Sequence, residues 1–240
     1  MPHVELPSGI RIRYDERGPR DARPLVLAHG FGVGLEMWYP QMHVLAQDYR
    51  FIAWDARGHG GSSAPGVVEN YTMPALAADL RGLLEALDAA DGAIIGGMSF
   101  GGQIALQYTV DHAGDVHALV LSDSTTRGPE PPPVPRTGEV WDWAGDPGLE
   151  GCRHAMQTRP DLTEAIKDLQ VPTLVIVGTL DEMILPGLRR LDGLPRSRTV
   201  RLDGCYHGTS SQRPRDWNEQ VLRFLRDVDA GAPLGEDEIV

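Results

Sequence analysis

Short apolar runs alternate along this chain with longer segments whose apolar residues recur every three or four positions. The short runs are PLVLAHG (24–30), RFIAWDARG (50–58), GAIIGG (92–97), VHALVLSD (116–123), PTLVIVG (172–178) and RTVRLDG (198–204). Each is stopped by glycine or polar residues, and their length and branched side chains predict strands. Between them, Leu76, Leu80, Leu83, Leu84 and Leu87 lay one apolar stripe along a helix over 73–87. Helices are also predicted over 35–47, 101–113, 185–191 and 216–228. The opening MPHVELPSGIRIRYDERG reads as two short strands around a Pro-Ser-Gly turn. Strands and helices alternating in this way predict an α/β fold: a mostly parallel, twisted sheet of about eight strands, flanked by helices.

One section breaks the rhythm. The 47 residues from 124 to 170 contain no strand pattern, and they open with TTRGPEPPPVPR, whose five prolines forbid regular structure. Trp141, Trp143 and two short helical stretches, 149–157 and 161–169, follow. Such a segment is too short and too rich in proline to bury a core of its own. It is read as a small cap or lid inserted into one domain made of residues 1–123 and 171–230. An acidic tail, 231–240, is expected to fray.

Composition narrows the function classes. Hydrophobic residues at 41% and charged residues at 23% are ordinary for a soluble globular chain. No apolar run approaches the roughly 20 residues that span a bilayer, and the N-terminus lacks a signal-peptide core. A cytoplasmic protein without membrane association is expected. The net charge of −12 argues against nucleic acid as a partner. Cys152 and Cys205 form neither a disulfide framework nor a zinc-type cluster, which is compatible with a reducing compartment. No HxxxH or HExxH pair occurs, and Lys167, the only lysine, has no activating neighbour in sequence. Neither a metal nor an organic cofactor is expected.

The chemistry gathers around GGMSFGGQ, between the strand at 92–97 and the helix at 101–113. Gly97-Met98-Ser99-Phe100-Gly101 fits G-x-S-x-G. A sharp strand-to-helix turn there holds the serine in a strained conformation and lifts its hydroxyl above the sheet edge, and small neighbours avoid collision. The helix that follows aims its N–H groups at the same point. A serine hydroxyl is a poor nucleophile until a histidine, oriented by a carboxylate, removes its proton. Asp181, in VGTLDEM, and His207, in GCYHGTS, each lie three residues beyond a predicted strand. Asp123, which ends another strand, is the alternative acid. For the oxyanion, His29-Gly30-Phe31-Gly32 follows an early strand, and Phe31 and Phe100 are the candidate backbone donors.

Taken together, HGFG, DARGHGGS, GMSFGG, VGTLD and YHG stand in the order found in the α/β-hydrolase superfamily, which the chain resembles from about Leu25 to Leu225 apart from the insertion. It looks most like compact bacterial serine esterases, 3-oxoadipate enol-lactonases and cofactor-free haloperoxidases. Two departures are visible: Met98 precedes the serine, and the cap is shorter than in most capped relatives. The resemblance implies a serine hydrolase that cleaves a small-molecule ester or lactone through Ser99, His207 and Asp181. A thioesterase, a carbon–carbon bond hydrolase, a perhydrolase, or a lyase or cyclase of natural-product biosynthesis would use the same residues. A non-catalytic binding protein on the same scaffold is the remaining class.

The other marked residues have plainer readings beside the functional one. Trp38, Trp141, Trp143, Met183 and Ile184 are candidates for lining the substrate pocket, with core packing the alternative for each. His29 is read as fixing the oxyanion loop, Asp55, Arg57 and His59 as folding the DARGHGGS loop, and Cys205 as a small buried filler.

Overall fold

The computed structural model describes residues 1–126, 145–235 and 237–240. Among the described residues, nine strands form one sheet: β1 (His3–Glu5), β2 (Arg11–Arg17), β3 (Pro24–Ala28), β4 (Arg50–Trp54), β5 (Ala93–Met98), β6 (Val116–Ser122), β7 (Thr173–Gly178), β8 (Ser197–Leu202) and β9 (Glu238–Ile239). The spatial order is β1-β2-β4-β3-β5-β6-β7-β8-β9. The β1–β2 and β2–β4 pairs are antiparallel and the remaining pairs parallel. The helices are α1 (Tyr39–Leu45), α2 (Met73–Ala86), α3 (Phe100–Asp111), α4 (Pro147–Thr158), α5 (Thr209–Gln212) and α6 (Pro214–Asp229).

Burial on both faces explains why the central strands read as continuous apolar runs. Every residue of β4, β5 and β7 is buried. On one face, Val26, Ile52, Ile95 and Leu119 pack with α2 and α3 through Leu76, Leu80, Leu83, Ile104 and Ala105. On the other, Leu25, Leu27, Phe51 and Ile94 pack with α1 and α6 through Leu45, Trp217, Val221 and Phe224. Fully burying one such side chain is worth about 1.5–3 kcal/mol, so these two layers supply most of the driving force. Local chemistry sets the helix starts. Thr72 Oγ1 accepts the Ala75 N–H at the head of α2, and Asp146 Oδ1 accepts the N–H groups of Gly148 and Leu149 at the head of α4.

The chain passes from β3 to β4 on one side and returns to β5 on the other, so the segments leaving β3 and β5 diverge. Crevices of open α/β sheets form at such switch points, outside the carboxyl ends of the strands. Both HGFG and Ser99 stand there.

Three expectations change. The tail adds a ninth strand: β9 pairs in parallel with β8, and the Val240 and Asp203 amides bond across to Arg201 and Val240. Backbone pairing to an otherwise open sheet edge outweighs the acidity that suggested fraying. The 161–169 stretch forms only a 3₁₀ turn, Ala165–Asp168, whereas the helix expected at 149–157 is α4. Trp38 does not face a pocket. It is fully buried between α1 and α6, its ring 5.5 Å from that of Trp217. Trp141 and Trp143 lie outside the described residues.

Candidate active site

The turn at Ser99 is built as the sequence demanded. Ser99 has φ 53° and ψ −111°, a conformation that L-residues other than glycine rarely adopt. Its amide donates to the Ser122 carbonyl at 2.9 Å, and its carbonyl accepts from the Gln103 amide at 3.0 Å and from Ser124 Oγ at 2.9 Å. These bonds hold the strained residue in place. The glycines supply clearance: a Cβ on Gly97 would overlap the backbone of Gly101, and one on Gly101 would overlap the Ala28 carbonyl. Ser99 is the residue before α3, so the amide end of that helix faces its surroundings.

Asp181 and His207 come from the loops after β7 and β8, at the same edge of the sheet. His207 Nδ1 lies 2.9 Å from Asp181 Oδ2. The other carboxylate oxygen of Asp181 accepts the amides of Met183, at 3.1 Å, and Ile184, at 3.2 Å. Burial opposes charge on His207, but the bond to Asp181 and the charges of Asp181 and Asp123 outweigh it and raise the imidazole above its ordinary pKa. The His207 loop is clasped by Gln212, whose amide nitrogen donates to the Tyr206 and His207 carbonyls while its oxygen accepts the Tyr206 amide. Gly208, at φ 98°, makes the turn.

Asp123 holds a different place. Its Oδ2 accepts the Thr209 amide at 3.0 Å, Thr209 Oγ1 at 2.8 Å and Ser122 Oγ at 3.0 Å. Its Oδ1 is buried with no hydrogen-bond partner among the described residues. Burial pushes this carboxyl up to about 6, against the opposing influence of His207 and Thr209. It therefore anchors α5, immediately beyond His207, while Asp181 takes the imidazole. Thr209, Gln212 and Ser124 escaped the sequence reading because single Thr, Gln and Ser residues in loops carry no distinguishing pattern.

The loop after β3 is fixed from within. His29 Nε2 accepts the Ala56 amide at 3.0 Å and Nδ1 donates to the Gly30 carbonyl at 2.7 Å, as its structural reading required. Asp55 accepts the amides of Leu35 and Gly61 together with Arg13 Nε. Arg57 pairs with the buried Asp79 carboxylate. Both residues are loop-folding devices, as expected. Met183 is exposed beside Asp181, whereas Ile184 buries its side chain in the core and contributes its amide. Cys205 is buried, as its reading as a filler required.

A strained serine at a helix start and a carboxylate–imidazole pair stand at the same carboxyl edge of a mostly parallel sheet, an arrangement that defines the class as an α/β hydrolase. The model of the α/β hydrolase fold family matches residues 23–150, and the chain belongs to that family. It is 28% identical to a non-heme chloroperoxidase of Burkholderia pyrrocinia over 94% of this chain and the whole of that protein. Among solved structures it is similar to a thermophilic esterase from Thermogutta terrifontis, with a TM-score of 0.83, 25% identity, and coverage of 95% of this chain and 99% of that one. It is equally similar to the enol-lactonase from Burkholderia xenovorans LB400, with a TM-score of 0.83, 25% identity, and coverage of 94% and 100%. No helix among the described residues is long and apolar enough to cross a membrane.

Proposed function

We propose that this protein hydrolyses a carboxylic ester or lactone through an acyl-enzyme on Ser99. The observation that carries the reading is the positive-φ Ser99 at the head of α3, on the same sheet edge as the His207–Asp181 pair. His207 takes the Ser99 proton as the oxygen attacks the carbonyl. Asp181 keeps the Nδ1 proton in place and stabilises the imidazolium. The oxyanion is met by the backbone N–H groups of Phe31 and Phe100, the latter reinforced by the amide end of α3. The imidazolium then protonates the leaving alkoxide, and water, deprotonated by His207, releases the acid and regenerates the Ser99 hydroxyl. Helix α4, which lies in the 124–170 insertion, is read as part of a cap beside this site. Its small size is in keeping with an open entrance.

The esterase and enol-lactonase neighbours support ester cleavage. Replacing Ser99 with alanine should abolish both fluorophosphonate labelling and p-nitrophenyl ester turnover. Undiminished turnover in that variant would overturn the mechanism. The chloroperoxidase relative supports a second outcome at the same site, in which hydrogen peroxide replaces water on the acyl-enzyme and a peracid leaves. Peracid formation from an acetate ester and peroxide, lost in the same variant, distinguishes it from simple hydrolysis.

A further inference from the structure

His59 sits where one ring meets His29, Phe31 and Gly32 of the loop after β3. Its Nε2 accepts the Gly32 amide at 3.0 Å. Its ring stacks on Phe100 at 5.4 Å between centroids, meets Phe31 edge-on at 5.6 Å, and lies 4.7 Å from the ring of His29. The two residues whose amides face the oxyanion in the proposed mechanism thus pack against the same imidazole. The ring is 5% exposed, and burial with neighbouring His29 pushes its pKa down to about 3. Burial thus favours the neutral ring. Because Nε2 accepts, the single ring proton resides on Nδ1.

That proton points at the insertion. Nδ1 lies 3.6 Å from Cys152 Sγ, which itself donates to the Arg57 carbonyl at 3.1 Å. Cys152 stands on α4, and α4 is seated on the loop after β4 by small residues. A Cβ on Gly58, at φ 81°, would come within 2.6 Å of the Gly148 carbonyl and 3.0 Å of Cys152 Sγ, and Gly151 abuts the Tyr71 ring. The seat allows backbone-to-backbone contact there, which brings a thiol to an imidazole.

We propose that His59 is a positioning residue for the oxyanion hole, held in its Nδ1–H tautomer by Cys152, so that α4 and the oxyanion loop are set as one unit. The inference rests on the reading of the Phe31 and Phe100 amides as oxyanion donors. Engaging the Gly32 N–H fixes the orientation of the Phe31–Gly32 peptide, and with it the direction of the preceding amide. Donors that stabilise a transition state must be placed before charge develops. Loss of the His59 contact should therefore lower kcat and leave KM nearly unchanged, since ground-state binding does not need the oxyanion contact.

The first test needs no change to the site. Long-range ¹⁵N–¹H spectra of the full chain, with the His59 signal assigned by its absence in His59→Gln, should show a neutral ring protonated at Nδ1. An Nε2-protonated ring or an imidazolium would overturn the proposal. The second test is kinetic. His59→Leu should lower kcat with a p-nitrophenyl ester on the order of a hundredfold, as removing one oxyanion donor does, and His59→Gln, which offers an acceptor toward Gly32, should recover part of the loss. Cys152→Ala should lower kcat severalfold and Cys152→Ser should restore it, because a hydroxyl makes both bonds of the thiol. Wild-type kcat in folded His59→Leu, or equal kcat in the two Cys152 variants, overturns the inference while leaving Ser99 chemistry intact. Turnover that survives Ser99→Ala instead removes the hydrolase reading itself, and the two failures are thereby distinct.

Discussion

Asp181 and His207 meet at 2.9 Å, the carboxylate fully buried and the imidazole side chain 23% exposed. One partner is screened from water while the other stays partly exposed. In the proposed mechanism this asymmetry suits a base that must reach substrate while its orienting group stays fixed. Asp181→Asn should reduce kcat/KM by roughly a thousand- to ten-thousand-fold, the scale on which loss of the orienting acid acts in serine hydrolases. Progress curves with an activated ester check this. An effect smaller in Asp181→Asn than in Asp123→Asn would exchange the roles of the two carboxylates.

The raised His207 pKa gives the activity profile a sign. The base must be neutral to act, so activity should climb with pH through a midpoint above the ordinary imidazole value. Asp181 is the main raising influence, so the residual activity of Asp181→Asn should rise at a lower pH. A kcat/KM profile of the two proteins reads the shift. For stability the same group acts in reverse. A histidine with a raised folded pKa favours the fold below its unfolded pKa, and that contribution is lost as pH rises through the folded value.

Asp123 should show the opposite kind of linkage to an ordinary carboxylate. Its pKa is raised by burial to about 6, so the folded state holds a proton that the unfolded chain has released. Its ionisation therefore lowers stability progressively as pH rises from about 4 to about 6, and the penalty is complete above that window. Asp123→Asn, which keeps an acceptor for Thr209, should flatten this segment of the curve and gain stability at pH 8 relative to pH 4. Urea titrations of both proteins across that range measure the difference.

Gly101, beside Ser99, and Gly178, at the end of β7, should tolerate no side chain. A methyl group on Gly101 would overlap the Ala28 carbonyl, and one on Gly178 the Cys205 carbonyl. Neither obstacle is the flexible end of a side chain, so strands β3 and β8 or their loops would have to move. Gly101→Ala and Gly178→Ala should each cost on the order of 3 kcal/mol or more, in the range of severe overpacking. Gly114, with open space around it, is the control: Gly114→Ala should be nearly neutral by thermal melting.

Trp38 separates core from pocket. Its burial against Trp217 predicts that Trp38→Ala costs about 3–5 kcal/mol of stability. Ester selectivity should not change, because the ring lies on the face of the sheet covered by α1 and α6. A panel of acyl-chain lengths assayed well below the melting temperature checks this, and a change of preference would return Trp38 to the substrate.

Periodicity and turn chemistry act locally, and so the chain itself determined much of this protein. Buried parallel strands announce themselves as apolar runs, the helix stripe of Leu76 to Leu87 as a 3.6-residue period, and the turn at Ser99 as the glycines without which its backbone would collide. The order of Ser99, Asp181 and His207 along the chain was equally legible. What tertiary structure decided concerns groups far apart in sequence. Asp123 and Asp181 each follow a strand with identical local logic, and only their placement against Thr209 and His207 assigns their partners. Trp38 became core because α6 returns some 180 residues later to cover it. The acidic tail became β9 because β8 offered an unpaired edge, and Cys152 met His59 because two glycines let α4 approach a loop that lies about 90 residues earlier. No window of sequence contains such pairs, because the free energy that selects them arises from burial and hydrogen bonding between elements that only the completed fold brings together.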